Sequence, residues 1–154
     1  MTRPAVVRAL RASDLALMRR MLDMFGRAFD EPATYSSQQP GDDYLRQLLS
    51  AQTFIAIAAL DGDDVIRGLA GYVLPKFEQA RAEFYIYDLA VDAAHRRCGA
   101  ATALIQELQR QARRCGSGRI CVQADRGDDP AIALYSRLGR REDVLHFDIA
   151  PADA

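Results

Sequence analysis

Residues 82–101 read AEFYIYDLAVDAAHRRCGAA, and the fold follows from how this stretch changes period. Ala82 to Val91 is rich in β-branched and aromatic residues and has the length of a buried strand. Asp92 to His95 is a polar turn, after which Arg96-Arg97-Cys98-Gly99-Ala100-Ala101 opens a helix running from about Gly99 to Cys115. Ala101, Leu104, Ile105 and Leu108 fall on one face of that helix, and Gly116-Ser117-Gly118 ends it. A strand that delivers its chain through a short turn into an amphipathic helix is a unit of a layered α/β domain.

Working outward, Thr53 to Leu60 and Val65 to Leu74 flank the turn Asp61-Gly62-Asp63-Asp64 and predict an antiparallel hairpin stopped by Pro75. Towards the N-terminus, residues 5–10 predict a short strand. Ser13 is placed to cap a helix carrying Leu15, Met18, Leu22 and Phe25. Asp30 to Gln39 is polar and reads as a loop, and Asp42 or Asp43 is placed to cap a helix with Leu45, Leu48 and Leu49. Beyond Gly118 come a strand at Arg119 to Ala124, an acidic loop from Asp125 to Asp129, a helix begun by Pro130 and ended by Gly139, and a last strand from about Val144 to Ile149. No repeat or linker interrupts this order, β-α-α-β-β-β-α-β-α-β, which predicts a single α/β domain over residues 1–154.

Twenty Lys and Arg against 21 Asp and Glu leave a formal charge of −1, which argues against nucleic acid or an anionic membrane as partner. No apolar run reaches the roughly 18 residues of a membrane span, and the first ten residues lack a signal peptide's apolar stretch, so a cytoplasmic protein is expected. Cys98, Cys115 and Cys121 form no C-x-x-C pair, and His95 and His146 stand in no ligand-spaced cluster. Reduced thiols and no metal are therefore expected.

Two constellations carry chemistry. The helix opened by Arg96 to Ala101 presents unpaired backbone N–H groups and a partial positive charge, to which Arg96 and Arg97 add donors for a phosphate. Taken alone, the same hexapeptide also suits an Arg-rich turn that binds nothing. About thirty residues on, Asp128-Asp129-Pro130-Ala131-Ile132-Ala133-Leu134-Tyr135 places a tyrosine on a helix, where the plain alternative is an amphipathic core residue.

Together, in this order and with one strand between, the pattern R-x-x-G-x-A followed by D-x-x-A-x-x-L-Y-x-x-x-G resembles the GNAT superfamily of N-acetyltransferases. The segments FGRAFDEPATYSSQQPGDDYL, YVLPKFEQ, YIYDLAV and VQADRGDDPAIALY, within residues 25–135, are similar to the gentamicin-type aminoglycoside 3-N-acetyltransferases. This resemblance implies a mixed α/β (α+β) fold, with a central, mostly antiparallel, twisted sheet of six to seven strands flanked by about four helices. It also implies acetyl transfer from acetyl-coenzyme A to an aminoglycoside amine, the 3-amino group for the gentamicin type, conferring resistance.

Residue by residue, the resemblance gives the pyrophosphate of coenzyme A to Arg96, Arg97, Cys98, Gly99, Ala100 and Ala101. It gives the pantetheine arm to the backbone of Leu89, Ala90 and Val91, with Asp128 and Ala131 beside it. The gap between that strand and Arg119 to Ala124 would admit the thioester, and a backbone N–H near Leu89 to Val91 would face its oxygen. Tyr135 matches the tyrosine that protonates the departing thiolate. Asp88, a carboxylate in an otherwise apolar strand, is the first candidate base and Glu83 the second, although strict alternation puts them on opposite faces unless a bulge intervenes. For a polycationic acceptor, Glu83, Asp88, Asp125 and Asp128 are the expected contacts, with Tyr35 and Glu78 at the lip. Asp stands at 128 and Ala at 101 where the family often has Asn and Gly, and neither change removes a group the chemistry requires. A homodimer is an assembly the resemblance allows. Rival acceptors are a polyamine, a small amine or a protein amino group; a coenzyme A-binding module without catalysis is the non-enzymatic rival.

Overall fold

The computed structural model describes residues 5–96, 99–116 and 118–152. The chain divides into two compact units, Met1–Gln123 and Ala124–Ala154.

The first unit is built on a five-stranded sheet in the order β1-β2-β3-β4-β5. Its strands are β1 (Val6–Ala9), β2 (Phe54–Asp61), β3 (Asp64–Pro75), β4 (Ala82–Val91) and β5 (Arg119–Val122). The first three pairings are antiparallel and the β4–β5 pairing is parallel, so the sheet is mixed. Four helices accompany it: α1 (Leu15–Ala28), α2 (Pro32–Tyr35), α3 (Asp42–Ser50) and α4 (Ala100–Arg114). Strand alternation sorts the core into two layers. Ala56, Ala58 and Ala90 join Met18, Met21, Met24 and Phe25 of α1 and Leu45 of α3 in one cluster. Residues one step out of phase, such as Ile57 and Leu69, bury themselves on the other face, where α4 packs and Leu104 and Leu108 are fully buried. Each of the large side chains contributes roughly 1.5–3 kcal/mol by leaving water.

The entry to α1 differs from the expected cap. Asp14, not Ser13, stands at the N-cap, and its carboxylate does not cap the helix. It accepts the Arg11 N–H at 2.8 Å and a two-pronged bond from Arg8, both prongs at 2.9 Å. Arg8 above all, by that bond, holds the Asp14 carboxyl below its ordinary range. Likewise Gly41, not an aspartate, occupies the N-cap of α3, while Asp42 and Asp43 sit in its first turn, where the helix dipole favours them. The expected loop Asp30 to Gln39 contains α2, which starts with Pro32 in its first turn.

β4 carries an irregularity that positions the site. Gly71 pairs with Ile86, but the next residue back on β3, Ala70, pairs with Asp88, so Tyr87 is an extra residue. Glu83 pairs with Leu74 and Asp88 with Ala70, residues of the same phase on β3, so the bulge brings both carboxylates to one face of the sheet. Gly71 makes room for this: a Cβ there would strike the Tyr85 carbonyl of the neighbouring strand.

The second unit holds α5 (Asp129–Leu138), and Gly139 at its C-cap returns to extended backbone. Among the described residues five strands and five helices are formed, against the six to seven strands and about four helices expected. The difference arises at both α2 and the last segment. Residues 144–149 alternate as a strand should, yet no ladder forms there and Leu145 and Ile149 are 81% and 89% exposed. Their neighbourhood is held locally instead by pairs two residues apart, Arg140–Glu142 at 3.1 Å and His146–Asp148 at 3.0 Å. No helix among the described residues is long and apolar enough to cross a membrane.

Gly71→Ala should cost about 1–3 kcal/mol, because an overpacked contact against backbone cannot relax by rotating a side chain. A lowered thermal unfolding midpoint is the expected result, and an unchanged midpoint would show that β3 and β4 part without cost.

Candidate active site

Asp88 is held where the bulge turns β4. It is part-buried, and the Tyr35 hydroxyl donates to its Oδ1 at 3.1 Å. Among the described residues no Arg or Lys pairs with it. Burial, and to a smaller extent the nearby Glu31, push its pKa above the ordinary 3.8, against the pull of the Tyr35 hydrogen bond. A part-buried carboxylate without a cation of its own has the make-up of a functional group.

Glu83 shares the face but not the circumstance. It faces Lys76 at 3.9 Å and Arg81 at 3.5 Å, and the same two cations hold Glu78 at 3.6 Å and 3.4 Å. Two acids and two bases thus neutralise one another at the far end of β4. The surroundings of the first base candidate and the second differ: among the described residues Glu83 is matched by cations and Asp88 is not.

Tyrosines border Asp88, a feature the sequence analysis missed. Tyr72 pairs with Tyr85 across β3 and β4. Tyr87, thrust out by the bulge and 68% exposed, lies edge-on to Tyr72 at 5.9 Å and 6.3 Å from Tyr85, while Phe54 closes on Tyr72 at 5.6 Å. Burial raises the Tyr72 and Tyr85 hydroxyl pKa values, and Asp88 adds to the effect at Tyr72. These rings stay neutral and offer apolar faces with polar tips, a surface suited to a sugar-like or amphipathic ligand. The signal was present as tyrosines two apart at 85 and 87, but only the bulge explains why both border one site.

The β4–β5 ladder ends at the pair Ile86–Val122. Leu89, Ala90 and Val91 keep their pairing with β3, so on the β5 side their backbone edge is open among the described residues. At the start of α4, Gly99 is the N-cap at φ 65° and offers no side chain to cap the helix, and a Cβ there would meet nothing within 4 Å among the described residues. An open strand edge followed by an uncapped helix N-terminus fits a ligand with an amide-bearing arm and an anionic end, as coenzyme A has. Arg96 precedes this turn; Arg97 and Cys98 lie outside the described residues, as does the Ala100 side chain. Ala101 lies in the first turn of α4.

In the second unit Asp128 is the N-cap of α5, its side chain accepting the Ala131 N–H at 3.2 Å. Asp125 is exposed in the loop before it, and its carbonyl accepts the Asp128 N–H at 3.2 Å. Burial chiefly, and Asp128 in addition, raise the Tyr135 hydroxyl pKa, so this phenol keeps its proton at neutral pH. Of the residues predicted for the site, Tyr35 and Asp88 are brought into direct contact, and Glu78 and Glu83 into an ion network. Among the described residues no group of three or more His, Cys, Asp or Glu side chains could hold a metal ion.

The chain is similar to known acetyltransferases. Residues 18–139 match the model of the Acetyltransferase (GNAT) family. An aminoglycoside acetyltransferase from an uncultured soil metagenomic sample is 49% identical, with 97% of this chain and 100% of that one covered and a TM-score of 0.95. A second soil metagenomic aminoglycoside acetyltransferase, solved in complex with sisomicin, is 27% identical over 96% and 97% of the two chains, with a TM-score of 0.88. A ribosomal-protein-alanine N-acetyltransferase from Brucella melitensis, 20% identical over 96% and 99% with a TM-score of 0.74, shares the fold alone. Comparison with curated proteins gave no match.

A carboxylate whose folded pKa lies above its unfolded value costs stability once ionised, in full above the folded pKa and not at all below the unfolded one. Asp88→Asn should therefore melt above the parent at about pH 8, and the gap should close as the pH falls towards about 4. A variant that melts lower at the higher pH would contradict this account of Asp88.

Proposed function

The chain belongs to the GNAT family of acetyltransferases, and from that premise we propose that it transfers an acetyl group from acetyl-coenzyme A to an amine of an aminoglycoside antibiotic, as one catalytic domain over residues 1–154. The observation that carries the acceptor is the aminoglycoside acetyltransferase 49% identical over 97% of this chain and 100% of that one. A part-buried carboxylate without a cationic partner among the described residues, with tyrosines nearby, supports the same acceptor class, since an aminoglycoside is a polycation with sugar rings. The 3-amino position of a gentamicin-type acceptor is the finer assignment, resting on the sequence segments within residues 25–135.

Acetyl-coenzyme A supplies the activated acetyl thioester when bound. Its phosphates would fall to Arg96, Arg97, Cys98 and the N-terminus of α4 at Gly99, Ala100 and Ala101, and its arm to the open edge of Leu89, Ala90 and Val91, while the resemblance assigns Asp128 and Ala131 to the same cofactor. A backbone N–H of that edge donates to the thioester oxygen. Asp88 accepts the proton that the acceptor nitrogen loses, directly or through one water, and its raised pKa brings it nearer to the pH at which a general base works best. Tyr135, protonated at neutral pH, donates to the departing sulfur. Asp125 and Asp128 supply further negative charge for the acceptor's other ammonium groups, whereas Glu83 and Glu78, the other acids the resemblance assigns to the acceptor, are already paired with Lys76 and Arg81. No protein nucleophile is required.

Coenzyme A release should be fast with sisomicin and gentamicin and slow with spermidine and peptide amines, and the acetylated nitrogen can be located by NMR of the product. Turnover confined to peptides or polyamines would sink the aminoglycoside assignment. Asp88→Asn and Tyr135→Phe should each lower kcat by about 10²–10⁴-fold while coenzyme A binding persists, the range expected for losing a general base or acid. Parental rates in either variant would remove that residue's role.

A further inference from the structure

Tyr35 sits 53 positions before Asp88 in the chain, yet its placement is determined on every side. Its ring packs at a tilt on Phe25 of α1 and on Phe29 at that helix's C-cap, with centroids 5.9 Å and 5.6 Å away. Its carbonyl accepts a bond from Gln39 Nε2 at 3.2 Å, and the same amide donates to Asp23 Oδ1 at 2.9 Å and to the Arg19 carbonyl at 3.3 Å. That amide ties the end of α2 to α1. Among the described residues the hydroxyl that emerges from this packing has one partner, Asp88 Oδ1.

We propose that Tyr35 is a positioning residue for Asp88: by holding Oδ1 it fixes the carboxylate's rotamer and leaves Oδ2 as the oxygen that meets the acceptor nitrogen. This proposal rests on the assignment of Asp88 as the general base. A carboxylate with two free oxygens can turn about its χ2 axis, and that freedom must be lost when the acceptor docks. A phenol already bonded to one oxygen removes it beforehand.

The bond has a second effect. A donor to the charged form favours that form, so Tyr35 opposes the burial and the Glu31 charge that raise the Asp88 pKa. The groups facing Asp88 are Tyr35 on α2, Glu31 just before it and Tyr72 on β3. Of these, Tyr35 is the one that favours the ionised form. Tyr35 itself cannot serve as the acid or base, since burial first, and then Asp88, drive its own pKa far up.

Tyr35→Phe keeps the ring packing and removes only the hydroxyl. The kcat/KM profile against pH, recorded with one aminoglycoside for the parent and the variant, should show the acid limb displaced upward by about one pH unit. The rate should then fall about tenfold below the limb and change less than about threefold on the plateau, with an unchanged KM for acetyl-coenzyme A. The acceptor's own titration is common to both enzymes and cancels. A limb that stays in place, with activity lost equally at all pH values, overturns the proposal and marks the hydroxyl as merely structural. Asp88→Asn is run beside it: if that variant turns over at the parental rate, the base assignment fails and takes the proposal with it; if that variant is inactive while the Tyr35→Phe limb is unmoved, the proposal alone fails.

Discussion

Between the pairs Gly71–Ile86 and Ala70–Asp88, β4 contains one residue more than β3, and this mismatch sets which side chains share a face of the sheet. A strand that alternated strictly through Tyr87 would turn Asp88 to the opposite face from Glu83. The additional residue reverses the phase, so Asp88 faces the side of the sheet where α1 and α2 lie, within reach of Tyr35. It also pushes the Tyr87 ring out against Tyr72 and Tyr85. The bulge needs Gly71, because β3 comes too close to the Tyr85 carbonyl for any side chain there. One absent methyl group thus underlies the position of the carboxylate, the tyrosine border and the contact between α2 and β4.

Electrostatics completes what the bulge begins. The chain's net charge of −1 conceals a strong local difference along a single strand. At the start of β4, Glu83 and Glu78 are neutralised by Lys76 and Arg81, which suits a part of the surface that must be stable without a ligand. Five residues further on, Asp88 is left with a neutral phenol as its partner. The cost of burying that charge is one the fold carries continuously. A cationic group placed beside it would relieve that cost.

The parts legible in the sequence were those set by local period. The strand Ala82–Val91 and the helix Ala100–Arg114 stand where the apolar pattern puts them, and the hairpin between Phe54 and Pro75 closes at the expected turn. Asp88, Glu83 and Tyr35 could each be singled out as an ionisable or aromatic group in a suggestive place. Their relationship could not. Face assignment across a bulge depends on the register of a neighbouring strand, and the Tyr35–Asp88 bond depends on how α2 docks. Expectations failed where local pattern was outvoted. Val144 to Ile149 alternates like a strand but forms no ladder, and Asp14, which a cap rule would place on its own helix, is claimed by the Arg8 guanidinium.

The end of the β4–β5 ladder at Ile86–Val122 has a further consequence. An unpaired strand edge is a template on which any extended chain can add, including another copy of the same protein, and natural sheets limit that hazard by keeping such edges short. Here β4 is an interior strand for its first half and becomes an edge only from Tyr87 to Val91. An opening of that length accommodates a few backbone hydrogen bonds, enough to align a slender amide-bearing chain. It is too brief to seed the growth of a second sheet.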